Sequence, residues 1–183
     1  MYINNFNYSP TEEFISWIAN NVEYKISLKK IIEAMVINNN SIILVKQGDN
    51  FVESRITYLA SDSKVIFSCN LEGNTIEFDH MSLKLKTNNK IFSATINTYC
   101  NVILICTKKL DRYFLQGFGY DGKEIFVKAL PNGYEFGYFT KSQNLSAIIC
   151  DVCEEEADPY DRCRFKFLVD IKTGDIYNKT LSY

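Results

Sequence analysis

The feature that most constrains this chain is a strand-like apolar run that occurs three times: Ser41-Ile-Ile-Leu-Val-Lys46, Asn101-Val-Ile-Leu-Ile-Cys106 and Leu145-Ser-Ala-Ile-Ile-Cys150. Each run is followed by a polar break, a longer strand, a tight turn and another strand. In the second copy these are residues 113–120, the turn Asp121-Gly122 and residues 124–127. The third copy has 165–171, Lys172-Thr-Gly174 and 175–177, and the first has 55–59, Ser61-Asp-Ser63 and 65–67. Short apolar or alternating runs bounded by Gly, Asn, Asp and Ser read as hairpin strands, because they are too short for helices and are punctuated by turn residues. Further turn candidates are Gln47-Gly-Asp-Asn50, Glu72-Gly-Asn74, Thr87-Asn-Asn89 and Pro131-Asn-Gly133. Residues 91–96 and 134–139 precede the second and third copies and supply a fourth strand to each. The copies start 44 residues apart from Asn101 to Leu145, and 60 apart from Ser41 to Asn101. An extra hairpin at Leu83-Lys-Leu-Lys86, turning at Asn88-Asn89, accounts for most of the difference. An aromatic fraction of 14% favours strands too, since rings pack well on a half-buried pleated surface.

The N-terminal segment reads differently. Ser9-Pro10-Thr11-Glu12-Glu13 supplies a cap residue, a first-turn proline and first-turn acids ahead of Phe14, Trp17 and Ile18, which predicts a helix over about 10–21 packed into the core. Residues 25–37 fit a helix or a strand equally. The expected organisation is one mainly β domain over 1–183, with a helical segment at 1–37 and β repeats over 38–183.

A four-stranded antiparallel unit of this length resembles a blade of the β-propeller families, whose WD-repeat type runs at about 40–45 residues per blade. The resemblance covers about residues 34–183 and lacks the Trp-Asp and Gly-His signatures. It implies about three blades, too few to close a ring, and so an incomplete propeller with open edges that a helix or a second chain would cover. The alternative fold is a β-meander sandwich with similar hairpins.

Few chemistries find their residues. A net charge of −2 gives no general attraction to nucleic acid or anionic lipid. No run approaches the roughly 20 apolar residues of a membrane helix, and the start lacks a leader pattern, so a cytoplasmic protein is expected. Cys69, Cys100, Cys106 and Cys150 lie in or beside apolar runs, where reduced thiols behave as small hydrophobes. Cys150 and Cys153 have zinc-ligand spacing, but a second pair is missing and His80, the sole histidine, is remote, so no metal is expected. His80 has no nucleophile in a recognisable elbow. Gly117-Phe-Gly119 lacks the lysine and following helix of a phosphate loop and reads as a strand or bulge pair. Tyr113, Phe114, Phe118, Tyr120 and Phe126 have only Arg112 and Lys123 near them, which favours core packing over base stacking. No catalytic residue, cofactor or nucleic-acid partner is assigned.

One segment does stand out. Residues 151–161 hold Asp151, Glu154, Glu155, Glu156, Asp158 and Asp161, a density of like charge that needs water, a cation or a basic partner to screen it. It lacks the central glycine of a calcium loop. In size, acidity and missing catalytic apparatus the chain resembles immunity proteins paired with bacterial contact-dependent growth inhibition toxins. That resemblance implies a protein-binding module that neutralises a toxin domain, often basic, by covering it. The expected contacts are Glu154, Glu155, Glu156, Asp158, Tyr160 and Asp161. Two other readings are a scaffold or homodimer using an open sheet edge, and a small-molecule-binding enzyme with a pocket lined by Tyr and carboxylates.

Overall fold

A computed structural model of the chain describes residues 2–38, 41–78, 83–142, 145–152 and 163–182. Every regular element among them is a β-strand, each paired antiparallel with its sequence neighbour within its sheet. The chain forms two compact units, Met1–Asn88 and Asn89–Tyr183.

In the first unit, β1 (Ile3–Ser9), β2 (Phe14–Ala19) and β3 (Val22–Ser27) form a three-stranded meander. The next meander has six strands: β4 (Ile31–Ile37), β5 (Ile42–Asp49), β6 (Val52–Ala60), β7 (Val65–Asn70), β8 (Thr75–Phe78) and β9 (Leu83–Lys86). Ile15, Trp17 and Ala19 from the small sheet share a core with Ile31, Ala34, Ile43, Val45 and Leu59 from the large one. Trp17 stacks on Tyr24 with centroids 5.4 Å apart, and its buried indole Nε1 donates to the Ser61 carbonyl at 2.8 Å.

The expected helix over 10–21 is absent, and the reason is local. The Ser9 hydroxyl does accept the Glu12 amide at 3.1 Å, so the capping signal is used, but for a single turn. Glu13 then takes φ 55°, a left-handed conformation that ends any helix and sends the chain into β2. From there Ile15, Trp17 and Ala19 are buried while Phe14, Ser16 and Ile18 are half-buried, the period of two of a strand. Asn20 and Asn21 both adopt positive φ (52° and 60°) and close the two-residue hairpin to β3. With no helix among the described residues, the shielding of an edge by the N-terminal one falls as well.

In the second unit, β10 (Lys90–Asn97), β11 (Val102–Lys109), β12 (Arg112–Gly119) and β13 (Glu124–Ala129) form one four-stranded meander. A second comprises β14 (Tyr134–Ser142), β15 (Leu145–Val152), β16 (Arg164–Val169) and β17 (Ile176–Leu181). Leu104, Cys106, Leu115 and Phe126 of the first pack with Ile148, Cys150, Phe165 and Phe167 of the second. Each such large side chain contributes about 1.5–3 kcal/mol relative to exposure. Gly117 lies where a Cβ would sit 2.4 Å from the Phe126 ring, at a register shift between Gly117 and Phe118, which fits the strand-bulge reading of that glycine pair.

The count of about three four-stranded units is also corrected. The described sheets number four, with three, six, four and four strands. The extra hairpin expected at Leu83–Lys86 does not turn at Asn88-Asn89: β9 pairs back onto β8 in the first repeat's sheet, and residues 87–89 lead onward into β10 of another sheet. No helix among the described residues is long and apolar enough to cross a membrane.

Candidate functional site: the hairpin of the last sheet

The three repeated runs become β5, β11 and β15, and each opens a hairpin with the next strand. Two of these hairpins are minimal. Asn50 and Phe51 join β5 to β6, and Leu110 and Asp111 join β11 to β12. The third departs from its siblings, since residues 153–163 separate β15 from β16. Glu154, Glu155, Glu156, Asp158, Tyr160 and Asp161 lie outside the described residues; Asp151 and Arg164 form the last paired rung of the described ladder.

That base is firmly built. Asp151 and Arg164 are directly paired across the strands. Arg164 Nε donates to Asp151 Oδ1 at 2.7 Å and its Nη2 to Oδ2 at 3.3 Å, a forked arrangement. The Val152 amide donates to the Cys163 carbonyl at 2.8 Å and extends the ladder one step further. The Asp151 carboxylate, through its hydrogen bond first and its charge second, holds the Arg164 guanidinium above its ordinary pKa.

Aromatic rings and lysines flank the base. Tyr134 meets Phe165 and Phe167 edge to face, with centroids 6.1 and 5.1 Å apart. Lys179 Nζ sits 3.9 Å from the Phe165 centroid and 5.1 Å from that of Tyr134. Near the tip of the sibling hairpin, Lys108 Nζ donates to the Tyr113 hydroxyl at 3.2 Å. Its pKa is raised, chiefly by that bond and further by Glu135 and Asp111. Glu135 stands opposite Asp151 in the ladder, so two neighbouring carboxylates are flanked by Lys108 on one side and Arg164 on the other.

These four charges are balanced at the base, whereas in sequence the segment beyond it sets Glu154, Glu155, Glu156, Asp158 and Asp161 against the single cation Arg162. Sequence reasoning identified the acidic residues but missed Arg164, Lys108 and Lys179, whose signal lay in their positions one strand away from the charges and rings they engage.

Other candidates fare differently. Cys69, Cys106 and Cys150 are buried and free, and burial pushes the Cys69 and Cys150 thiols up to about 12 and Cys106 upward too, which disfavours thiolate chemistry. Cys100 is exposed in the turn after β10, not buried beside its run, and Cys163 is exposed. His80 and Cys153 lie outside the described residues. Among those described, no three His, Cys, Asp or Glu side chains gather in a metal-binding group. Tyr113, Phe118 and Phe126 are buried, as core packing requires.

No family model matches the chain, and no curated protein matches it by sequence. Among solved structures, dihydro-heme d1 dehydrogenase NirN in complex with DHE superposes with a TM-score of 0.47 and 8% identity, over 100% of this chain and 47% of that one. The chain thus spans about half the length of that protein. A likeness at this level transfers neither a site nor an activity.

Proposed function

We propose that the chain is a cytoplasmic protein-binding module, of the immunity-protein kind, that grips a basic partner domain through residues 153–162. What supports this reading is the comparison of hairpins: two siblings turn in two residues, and the third spends a long, acidic connection on a base clamped by the Asp151–Arg164 pair. Connections of this length in otherwise tightly turned sheets are where recognition is usually mounted. The carboxylates steer a cationic surface, and Tyr160 offers a ring to bury at contact.

The test is charge reversal of Glu154, Glu155 and Glu156 to Lys, with affinity measured against the basic partner co-purified from the native host. Affinity should fall at least about tenfold, or 1.4 kcal/mol, with a flattened salt dependence of the association rate. Unchanged affinity across the salt series removes the proposal.

A second reading, self-association along a sheet edge, draws on β13. This edge strand of its sheet leaves Ile125 44% and Val127 43% exposed. Light scattering separates the two readings: a concentration-dependent dimer supports edge pairing, and a monomer at all concentrations excludes it.

A further inference from the structure

We propose that a cleft at the other end of the last sheet, remote along β15 from the acidic hairpin, binds a small organic carboxylate. The cleft has a volume of about 300 Å³ and lies where β10 ends, β15 begins and β16 turns into β17. That volume matches the lower end of small-molecule sites.

Its polar wall is built from a buried pair. Asn97, 4% exposed, has its side-chain oxygen fixed by the amides of Tyr99 at 3.1 Å and Cys100 at 3.2 Å. Its Nδ2 must therefore face the other way, and it donates to the Ser146 hydroxyl oxygen at 2.9 Å. Ser146 is 6% exposed and already accepts this bond, so its own proton is left to donate, with no acceptor among the described residues. A buried hydroxyl with a spare proton is costly unless a ligand or water takes it.

The remaining lining adds a cation and a body-sized apolar surface. Lys172 lines the cleft from the β16–β17 turn and makes no ion pair among the described residues, and Tyr177 lines it as well. Asp170, the one acid on the wall, has its Oδ1 taken by the amides of Lys172 at 2.8 Å and Thr173 at 3.3 Å, which ties its charge into the turn that presents Lys172. Leu145, Val169 and Ile171 supply the apolar floor. Donors from Ser146, Tyr177 and Lys172 around an apolar floor favour a carboxylate head on a short hydrocarbon body over a neutral or cationic ligand.

Cys100 is exposed on the rim and reports occupancy. In a Cys153→Ser, Cys163→Ser background, the rate of Cys100 alkylation by iodoacetamide is measured with butyrate or benzoate, and with butyramide or benzamide as neutral matches. At about four times the ligand's Kd, a bound carboxylate should slow alkylation about fivefold by mass action. The amides should leave the rate unchanged, and Lys172→Gln should abolish the protection. Saturation-transfer NMR on butyrate with the wild-type protein gives a thiol-independent reading. Equal rates with acid and amide, protection that survives Lys172→Gln, or no protection and no transfer with either acid would each overturn the proposal. Lys172 is exposed, so its variant keeps the test valid where Ser146→Ala fails to fold.

Discussion

The hairpins β11–β12 and β15–β16 run through the same ladder and diverge at one rung. Cys106 opposite Leu115 corresponds to Cys150 opposite Phe165, all four buried in one core. One step on, Thr107 stands opposite Phe114 where Asp151 stands opposite Arg164. Thr107 is fully buried and its hydroxyl has no partner among the described residues, whereas Asp151 and Arg164 are half-exposed and paired. The first hairpin runs on through Lys108–Tyr113 and Lys109–Arg112 and closes in two residues, whereas Asp151–Arg164 is the last paired rung before residues 153–163. The lesson is that the core rungs are shared, and the two hairpins part company where the ladder leaves the core.

The largest effect expected from disturbing this arrangement is at Gly174, in the turn that the last sheet rests against Phe126 of its neighbour. Its φ is 76°, and an added Cβ would sit 2.3 Å from the Phe126 ring. Gly174→Ala should cost about 2–4 kcal/mol by urea denaturation, from backbone strain and overpacking together. In a Phe126→Ala background the overpacking vanishes, and the cost should fall to about 1 kcal/mol of strain. An unchanged cost would mean the two sheets do not meet there.

Next is conversion of the long hairpin into a short one, with residues 153–162 replaced by Asn-Gly between Val152 and Cys163. The ladder already extends to that pair, so the fold should survive and gain roughly 1 kcal/mol from the smaller loop closure. Partner affinity should fall at least as far as with the triple charge reversal. A variant that fails to fold would show that the connection is structural rather than grafted. In the other hairpin, Thr107→Val removes an unsatisfied buried hydroxyl at nearly constant volume and should stabilise by about 0.5–1 kcal/mol. A loss of stability would reveal a partner for that hydroxyl.

How much of this was legible depends on which interactions set each element. The runs at Ser41, Asn101 and Leu145 were readable as equivalent strands because their burial is a property of the run itself. The turns at Asp121-Gly122 and Thr173-Gly174 were readable because the residues carry the turn conformation. The first sheet was not. Ser9-Pro10-Thr11-Glu12 does form a capped turn, and only Glu13 entering the left-handed region, followed by Trp17 finding the Ser61 carbonyl 44 residues away, makes the segment a strand. The acidic connection was visible as composition, but its clamp was not, because Arg164 meets Asp151 only after the ladder is formed. The Asn97–Ser146 pair, 49 residues apart in sequence, left no local trace at all.

The smallest effect separates the far turns of the same two sheets. Asp121, in the β12–β13 turn, has its carboxyl held below the ordinary range, chiefly by the Lys123 amide. Asp175, beside the β16–β17 turn, is held low chiefly by the Lys128 ammonium, 2.8 Å away, and then by the Thr173 hydroxyl. Both pKa values are lower folded than unfolded, so each carboxylate's contribution is present above the unfolded value near pH 4 and is lost as pH falls through the folded one. The urea midpoint should therefore decline below about pH 4, and Asp121→Asn and Asp175→Asn should each make the decline shallower. Salt distinguishes them, because a bond from a backbone amide is local while the Lys128 contact is an exposed charge pair open to screening. Added salt should erase the difference between wild type and Asp175→Asn and leave that of Asp121→Asn largely intact. If both respond alike, Lys128 does not tether the last sheet's turn to its neighbour, and the two turns are held by the same local means.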